Sequence, residues 1–196
     1  MMSYFLLKNI LREDQLMKVV LGEVTIEMVT GDIAAQKDMQ AVVNAANAQL
    51  KLGGGVAGAL HRAAGPGLEE ECRPLAPIKP GEAVITGGHN LPNRYVIHCL
   101  GPVFGVDRPE EKLLADCYRN ALYLAEERRI SSIAFPSIST GAFGYPMRAA
   151  AEIAFRTVKE MLKVLREVKV IRFVLHDQSA LAIHEEVMKM VFNVGN

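Results

Sequence analysis

Two glycine-rich loops carry residue types whose spacing suits chemistry. Asn44-Ala45-Ala46-Asn47 is followed by Gly53-Gly54-Gly55 and a helical pattern from Val56. In the other half of the chain, Ser137-Ile138-Ser139-Thr140-Gly141-Ala142-Phe143-Gly144-Tyr145 runs up to Pro146, where another helical pattern opens. Each loop leaves a strand-like segment and enters a helix. Its backbone N–H groups and the helix N-terminus therefore make a cradle for an anion. Glycine lets the main chain approach a phosphate closely and take up positive φ where required. Two such cradles could clasp a pyrophosphate from both sides without a lysine. A single glycine is usually an ordinary tight turn; three in a row before a helix, mirrored by a second rich loop, favour binding.

The elements that must position these loops can be read from hydrophobic periodicity. Lys18 to Leu21 and Val24 to Val29, split by Gly22-Glu23, read as a hairpin, with Val24, Ile26 and Met28 alternating against Thr25 and Glu27. Ala41 to Ala46 is a short buried strand, and Val56 to Ala64 a helix closed by Gly65-Pro66-Gly67. Ala83 to Thr86 and Arg94 to Cys99 are strand-like. Asp107 with Pro109-Glu110-Glu111 starts a helix whose stripe is Leu114, Cys117, Ala121, Leu122 and Ala125. After the strand Ile133 to Phe135, Pro146 opens a helix with Met147, Ala150, Ala154, Val158, Met161 and Leu165 in register. Val170 to Leu175 is a last core strand, and Ser179 caps a helix to about Val191. Residues 1–17 stand outside as an extension, read as one helix docking on the body. The alternation predicts one α/β domain with a mixed, largely parallel sheet.

Composition narrows the class. Among 196 residues, 22 Lys and Arg balance 22 Asp and Glu for a net charge of zero, and half the residues are hydrophobic. That balance argues against a protein that grips nucleic acid by neutralising phosphates. Basic clusters such as Arg128-Arg129 or Lys163, Arg166 and Lys169 read as solvated helix faces. Cys72, Cys99 and Cys117 lie far apart with no C-x-x-C pair, as free buried thiols of a reducing cytoplasm do. His61, His89, His98 and His184 have no metal-ligand spacing, so neither metal nor cofactor is expected. The apolar patch Tyr4 to Leu7 is broken by Lys8 and followed by Arg12, Glu13 and Asp14, unlike a signal peptide or membrane span.

Taken in order, Gly31-Asp32-Ile33, Val42-Val43-Asn44-Ala45-Ala46-Asn47 and Gly53-Gly54-Gly55-Val56-Ala57-Gly58-Ala59-Leu60 resemble the signature of macro domains. Gly81-Glu82-Ala83, Tyr95-Val96-Ile97-His98 with Gly101-Pro102, and Ala134-Phe135-Pro136-Ser137-Ile138-Ser139-Thr140-Gly141 continue the match, which spans about residues 18–192. The resemblance implies a three-layer α/β/α sandwich that binds ADP-ribose, free or on modified proteins. It implies that Asp32 accepts a hydrogen bond from the adenine amino group, a role suited to an acceptor-only carboxylate and compatible with capping a turn. It puts Asn47 at the distal ribose as the candidate catalytic residue and leaves Asn44 structural. Ile33, Gly54, Gly55, Val56, Ser139, Thr140, Gly141, Ala142, Phe143 and Gly144 would line the ligand, with Phe143 near the distal ribose and Tyr145 bracing the loop. His176, just after the last strand, stands where relatives place an aromatic against adenine.

The chain departs from two branches of that family. One carries aspartate at the position of Ala57, and viral relatives carry histidine at that of Leu52. Without either group, the resemblance implies slow hydrolysis of ADP-ribosyl esters on proteins or of ADP-ribose 1″-phosphate. A non-catalytic ADP-ribose reader is the alternative. Gly53-x-Gly55-x-x-Gly58 also fits the dinucleotide-binding pattern, but its strand ends too far upstream, and Glu69 to Glu71 fall in helical or loop context rather than at a second strand's end about 20 residues on, against a nicotinamide oxidoreductase.

Overall fold

A computed structural model describes residues 9–13 and 16–194. Eight strands form one sheet: β1 (Asn9–Glu13), β2 (Leu16–Leu21), β3 (Val24–Thr30), β4 (Ala41–Ala45), β5 (Ala83–Gly87), β6 (Tyr95–Cys99), β7 (Ser132–Phe135) and β8 (Val170–Leu175). Their spatial order is β1-β2-β3-β8-β7-β4-β6-β5. The five inner strands β3, β8, β7, β4 and β6 run parallel, and antiparallel partners close both ends. Helices α1 (Gly55–Ala64) and α2 (Pro66–Cys72) cover one face. Helices α3 (Glu110–Glu127), α4 (Met147–Met161) and α5 (Gln178–Phe192) cover the other. The three-layer sandwich follows from strands that bury both faces, as in β4, where Ala41 and Val43 join one cluster and Val42 the other.

The helix stripes are buried as their spacing requires: Leu114, Cys117, Ala121, Leu122 and Ala125 in α3, and Ala150, Ala154, Val158 and Met161 in α4. Phe173 of β8 anchors the larger cluster, with ring centroids 4.7 Å from Phe155, 5.9 Å from Phe135 and 6.2 Å from Tyr118. Such pairs add stability beyond the area they bury.

Four local expectations are corrected. The opening segment is not a helix over its described part: residues 9–13 pair antiparallel with β2, whose outer backbone groups would otherwise stay unpaired at a sheet edge. The Tyr4 to Leu7 patch lies outside the described residues. Gly65 closes α1 as expected, its N–H donating to His61 O, but Pro66 and Gly67 then open a second helix, with Pro66 in its first turn, where a missing N–H costs nothing. Asp177, not Ser179, caps α5, its Oδ1 accepting from Ala180 N at 2.8 Å. Helix α4 stops at Met161, and Leu165 is buried from the turn beyond it.

The aromatic cluster gives a stability test. Phe173→Ala is expected to lower unfolding free energy by about 3–5 kcal/mol, the range for emptying a large core site. Urea unfolding measures it, and a loss below about 1 kcal/mol would contradict the packing described.

Candidate functional site

The carboxyl ends of the parallel strands open on one edge, and their loops enclose a cavity of about 680 Å³. Gly31, Asp32 and Ile33 come from the turn after β3, Gly55 and Val56 from the start of α1. Pro136, Ser137, Thr140 and Gly141 follow β7, and His176 and Asp177 follow β8. The volume lies within the range of small-molecule sites.

Among the described residues no lysine or arginine lines this cavity; its acidic side chains are Asp32 and Asp177, and His176 lines it as well. Attraction for an anion must come from the backbone. Helices α1 and α4 both begin at the wall, through Gly55 and Met147, and neither has a side-chain cap or an acid in its first turn. The first N–H groups of a helix lack internal acceptors, and the helix dipole makes that end positive. Helix α5 differs, because Asp177 already occupies its end. The Ala180 N–H, with help from His176, holds the Asp177 carboxyl below the usual carboxylate range.

Glycines shape the first loop in two ways. Gly55 has φ of 51°, a backbone conformation that favours glycine. At Gly58, a Cβ would lie 2.4 Å from Gly53 O, so the helix packs directly on the loop that precedes it. That contact accounts for the third glycine of the dinucleotide-like pattern without a dinucleotide. Strand β4 ends at Ala45 and α1 begins only at Gly55, with no tight strand-to-helix turn between them.

Asp32 uses one carboxylate oxygen to accept from Ala34 N at 2.9 Å, capping a 3₁₀ turn over Ile33–Ala35. The other oxygen has no hydrogen bond among the described residues. Asp32, Ile33, Gly55, Val56, Thr140, Gly141 and His176 are thus brought together around one cavity. His176 sits at the rim with its side chain 96% exposed.

The other expected residues stand off the wall. Asn47 turns back on its own loop: Nδ2 donates to Lys51 O at 2.7 Å and Oδ1 accepts from Lys51 N at 3.1 Å. One amide hydrogen and one lone pair remain. A Cβ at Gly53 would lie 3.2 Å from Asn47 Nδ2 and 3.7 Å from Ala57 Cβ, so these three positions converge beside the start of α1. Gly54 is exposed just ahead of that helix. Ser139 has φ of 66° and its Oγ is buried without a hydrogen bond, close enough to Gly101 that a Cβ there would meet Oγ at 2.1 Å. Ala142, Phe143 and Gly144 form the outer turn, where Gly144 N donates to Gly141 O and Phe143 O accepts from Phe104 N. Tyr145 is buried, with its ring edge-on to Phe104 at 4.9 Å between centroids.

Sequence reasoning missed the lining contributed by Ala59, Met147 and Ala180, which lie in the N-terminal halves of three helices, and Asp177. Only Asp177 and Ala180 closely follow a parallel strand's carboxyl end, where a signal could have found them. Asn44 is buried, and its Nδ2 donates to His98 Nδ1 at 3.1 Å while His98 Nε2 meets Thr86 Oγ1 at 2.9 Å. Burial, with a smaller push from nearby His61, moves the His98 pKa down to about 3, so the ring is neutral and holds structure rather than charge. Among the described residues no His, Cys, Asp and Glu cluster could hold a metal ion, and no helix is long and apolar enough to cross a membrane.

Comparison with known proteins agrees with this geometry. The macro domain family model matches residues 43–154. A macro domain-containing protein of Chlorobaculum tepidum is 48% identical over 166 residues, covering 84% of this chain and 96% of that protein. The O-acetyl-ADP-ribose deacetylase of Klebsiella pneumoniae is 46% identical over 167 residues, covering 83% of this chain and 95% of its own length. The Oceanobacillus iheyensis macrodomain solved with ADP superposes with a TM-score of 0.87 at 40% identity, covering 91% of this chain and 97% of that one.

Gly54 and Gly141 offer a direct test of the loops, since a Cβ at either meets nothing within 4 Å. Gly54→Glu and Gly141→Glu are each expected to keep the parent's melting temperature within a few degrees, while calorimetry with pyrophosphate as probe finds affinity lost to the added carboxylate. A folded variant that binds pyrophosphate as the parent does would show that its loop stands away from the anion.

Proposed function

The chain belongs to the macro domain family, and on that premise we propose that its cavity binds ADP-ribose and slowly hydrolyses esters of it. The observation that carries the reading is the pairing of two uncapped helix starts, at Gly55 and Met147, with a carboxylate at Asp32 in the lining of one cavity. A diphosphate suits the amide-rich loops, since their N–H groups need acceptors and no cation competes for it. A free carboxylate oxygen suits the adenine amino group and discriminates against a carbonyl at that position. His176, at the rim, would stack on the base.

An ester is the bond suggested by one relative, the O-acetyl-ADP-ribose deacetylase of Klebsiella pneumoniae. ADP-ribose linked through an ester to an acidic side chain of a protein has the same type of bond, and ADP-ribose 1″-phosphate offers a phosphate ester at the distal ribose. Water adds, the ester bond breaks, and ADP-ribose leaves with a free acid. Asn47 is the residue assigned to this end, through the amide hydrogen and lone pair that Lys51 leaves unused. Ala57 supplies no carboxylate to activate the water, and a general acid–base group typically contributes 10²–10⁴-fold. Turnover is therefore slow. The three free, buried cysteines accord with work in a reducing cytoplasm.

One observation favours a second reading. Both polar ends of Asn47 already serve the loop backbone, which suits a reader that recognises ADP-ribose without turning it over. Turnover separates the two.

ADP-ribose is expected to bind with a dissociation constant on the order of micromolar, about 8 kcal/mol, and AMP more weakly because it lacks the second phosphate and ribose. Asp32→Ala lowers ADP-ribose affinity by roughly 1–3 kcal/mol, as for loss of a hydrogen bond to a charged group. Calorimetry on these ligands checks both; equal affinity for AMP and ADP-ribose would end the two-loop reading.

Asn47→Ala is expected to lower kcat for an ADP-ribosyl ester roughly tenfold, about 1.4 kcal/mol of barrier, while ADP binding largely survives. Release of ADP-ribose, followed by chromatography, measures this. If the parent itself shows no turnover above background, the protein is a reader.

A further inference from the structure

The turn that carries Asp32 is held by one guanidinium. Arg172 lies on β8, with only 12% of its side chain exposed. Nε and Nη2 donate to Glu27 Oε2 at 2.9 and 2.7 Å. Nη1 and Nη2 donate to Asp38 Oδ1 and Oδ2 at 2.8 and 2.7 Å, and Nη1 also donates to Gln36 Oε1 at 3.1 Å. All five donors of the planar fork are thereby used.

The chain of bonds continues to the site. Gln36, its oxygen held by Arg172, donates from Nε2 to the backbone carbonyl of Asp32 at 2.8 Å. Asn93 fixes the same segment from beneath, with Nδ2 donating to Gln36 O and Met39 O, both at 2.7 Å. Gly31 N donates to Leu175 O at 3.0 Å, tying the start of the turn to the end of β8.

Stability does not explain this arrangement. Asp38 has 64% of its side chain exposed, where an ion pair contributes little, although hydrogen bonds from Arg172 hold its carboxyl below the ordinary range. The Arg172–Glu27 pair is buried, and a buried pair is often matched or bettered by apolar residues of similar volume. What a bidentate fork supplies in addition is orientation.

We propose that Arg172, acting through Gln36 and Asp38, is a positioning residue that sets the angle at which Asp32 meets the base, and so sets selectivity for adenine. The proposal rests on the reading that Asp32 recognises adenine. Arg172 does not touch the ligand. It holds the segment from Asp32 to Asp38 through the side chains of Gln36 and Asp38, and Gln36 passes that hold to the main-chain carbonyl of Asp32.

The test compares affinity for ADP-ribose with that for inosine diphosphate ribose, which replaces the amino group by a carbonyl. A general loss of folding lowers both affinities together, whereas mispositioning lowers their ratio. Arg172→Lys keeps the charge and removes the fork. Gln36→Met and Asp38→Ala leave the buried Arg172–Glu27 pair in place, so they answer the question even if Arg172→Lys does not fold. The parent is expected to prefer the adenine ligand at least about tenfold, and Gln36→Met and Asp38→Ala to cut that ratio by roughly threefold or more with unchanged melting temperatures. Asp32→Ala serves as the reference. If Asp32→Ala erases the preference while Gln36→Met and Asp38→Ala retain it in full, the positioning role is overturned and the adenine reading stands. If Asp32→Ala itself retains the preference, the adenine reading falls and the positioning role with it.

Discussion

Five parallel strands must release their chains at the same edge, and the rest of this structure depends on that constraint. Strands β3, β8, β7 and β4 lie side by side, and the segments that leave their carboxyl ends make up the cavity wall. A parallel strand returns through a helix, so helix N-termini collect there as well. Three helices reach the wall through Gly55, Met147 and Ala180, and two of them arrive without a side-chain cap. Unsatisfied N–H groups are costly when buried and tolerable at a wet crevice that expects an anion. The binding surface is thus a consequence of topology before any side chain is chosen.

The choice of side chains then gives the cavity two unlike kinds of lining. Glycine and small residues keep the amides of Gly55, Thr140 and Gly141 open, and the described lining residues include no lysine or arginine that would bind any phosphate indiscriminately. Beside them the same cavity carries the Asp32 carboxylate and the exposed His176. A ligand that is anionic in the middle and rich in donors at one terminus fits this polarity, and ADP-ribose has that form. A net charge of zero is compatible with such a site because backbone dipoles, rather than lysines, supply the positive field.

Where the signal is local, the sequence is readable. The buried stripe of α3, the alternation of Val24, Ile26 and Met28, and the glycine runs each report a backbone period or a turn, and the structure places them accordingly. Caps and edges are less readable because they depend on competition. Asp177 and Ser179 both suit a cap, and only the path of the chain after β8 gives the position to Asp177. The strand over residues 9–13 exists because β2 has an edge to fill, which periodicity in that segment does not reveal. Within the site, Asp32, Gly55 and Gly141 could be named from motifs. The turning of Asn47 onto Lys51, and of Ser139 toward Gly101, follows from contacts that no spacing announces. Arg172 and Glu27 are far apart in sequence and meet only because β3 and β8 pair in register.

The central claim is that two loops from opposite sides of β7 and β4 share one diphosphate through their amides. Its most direct measurement is a backbone amide NMR titration with ADP-ribose. The account predicts that the Gly54, Gly55 and Val56 signals and the Thr140, Gly141 and Ala142 signals shift together with a single saturation curve, and that Asp32 and Ala34 shift in the same curve. Shifts confined to one of the two loops, or saturating at different ligand concentrations, would contradict it.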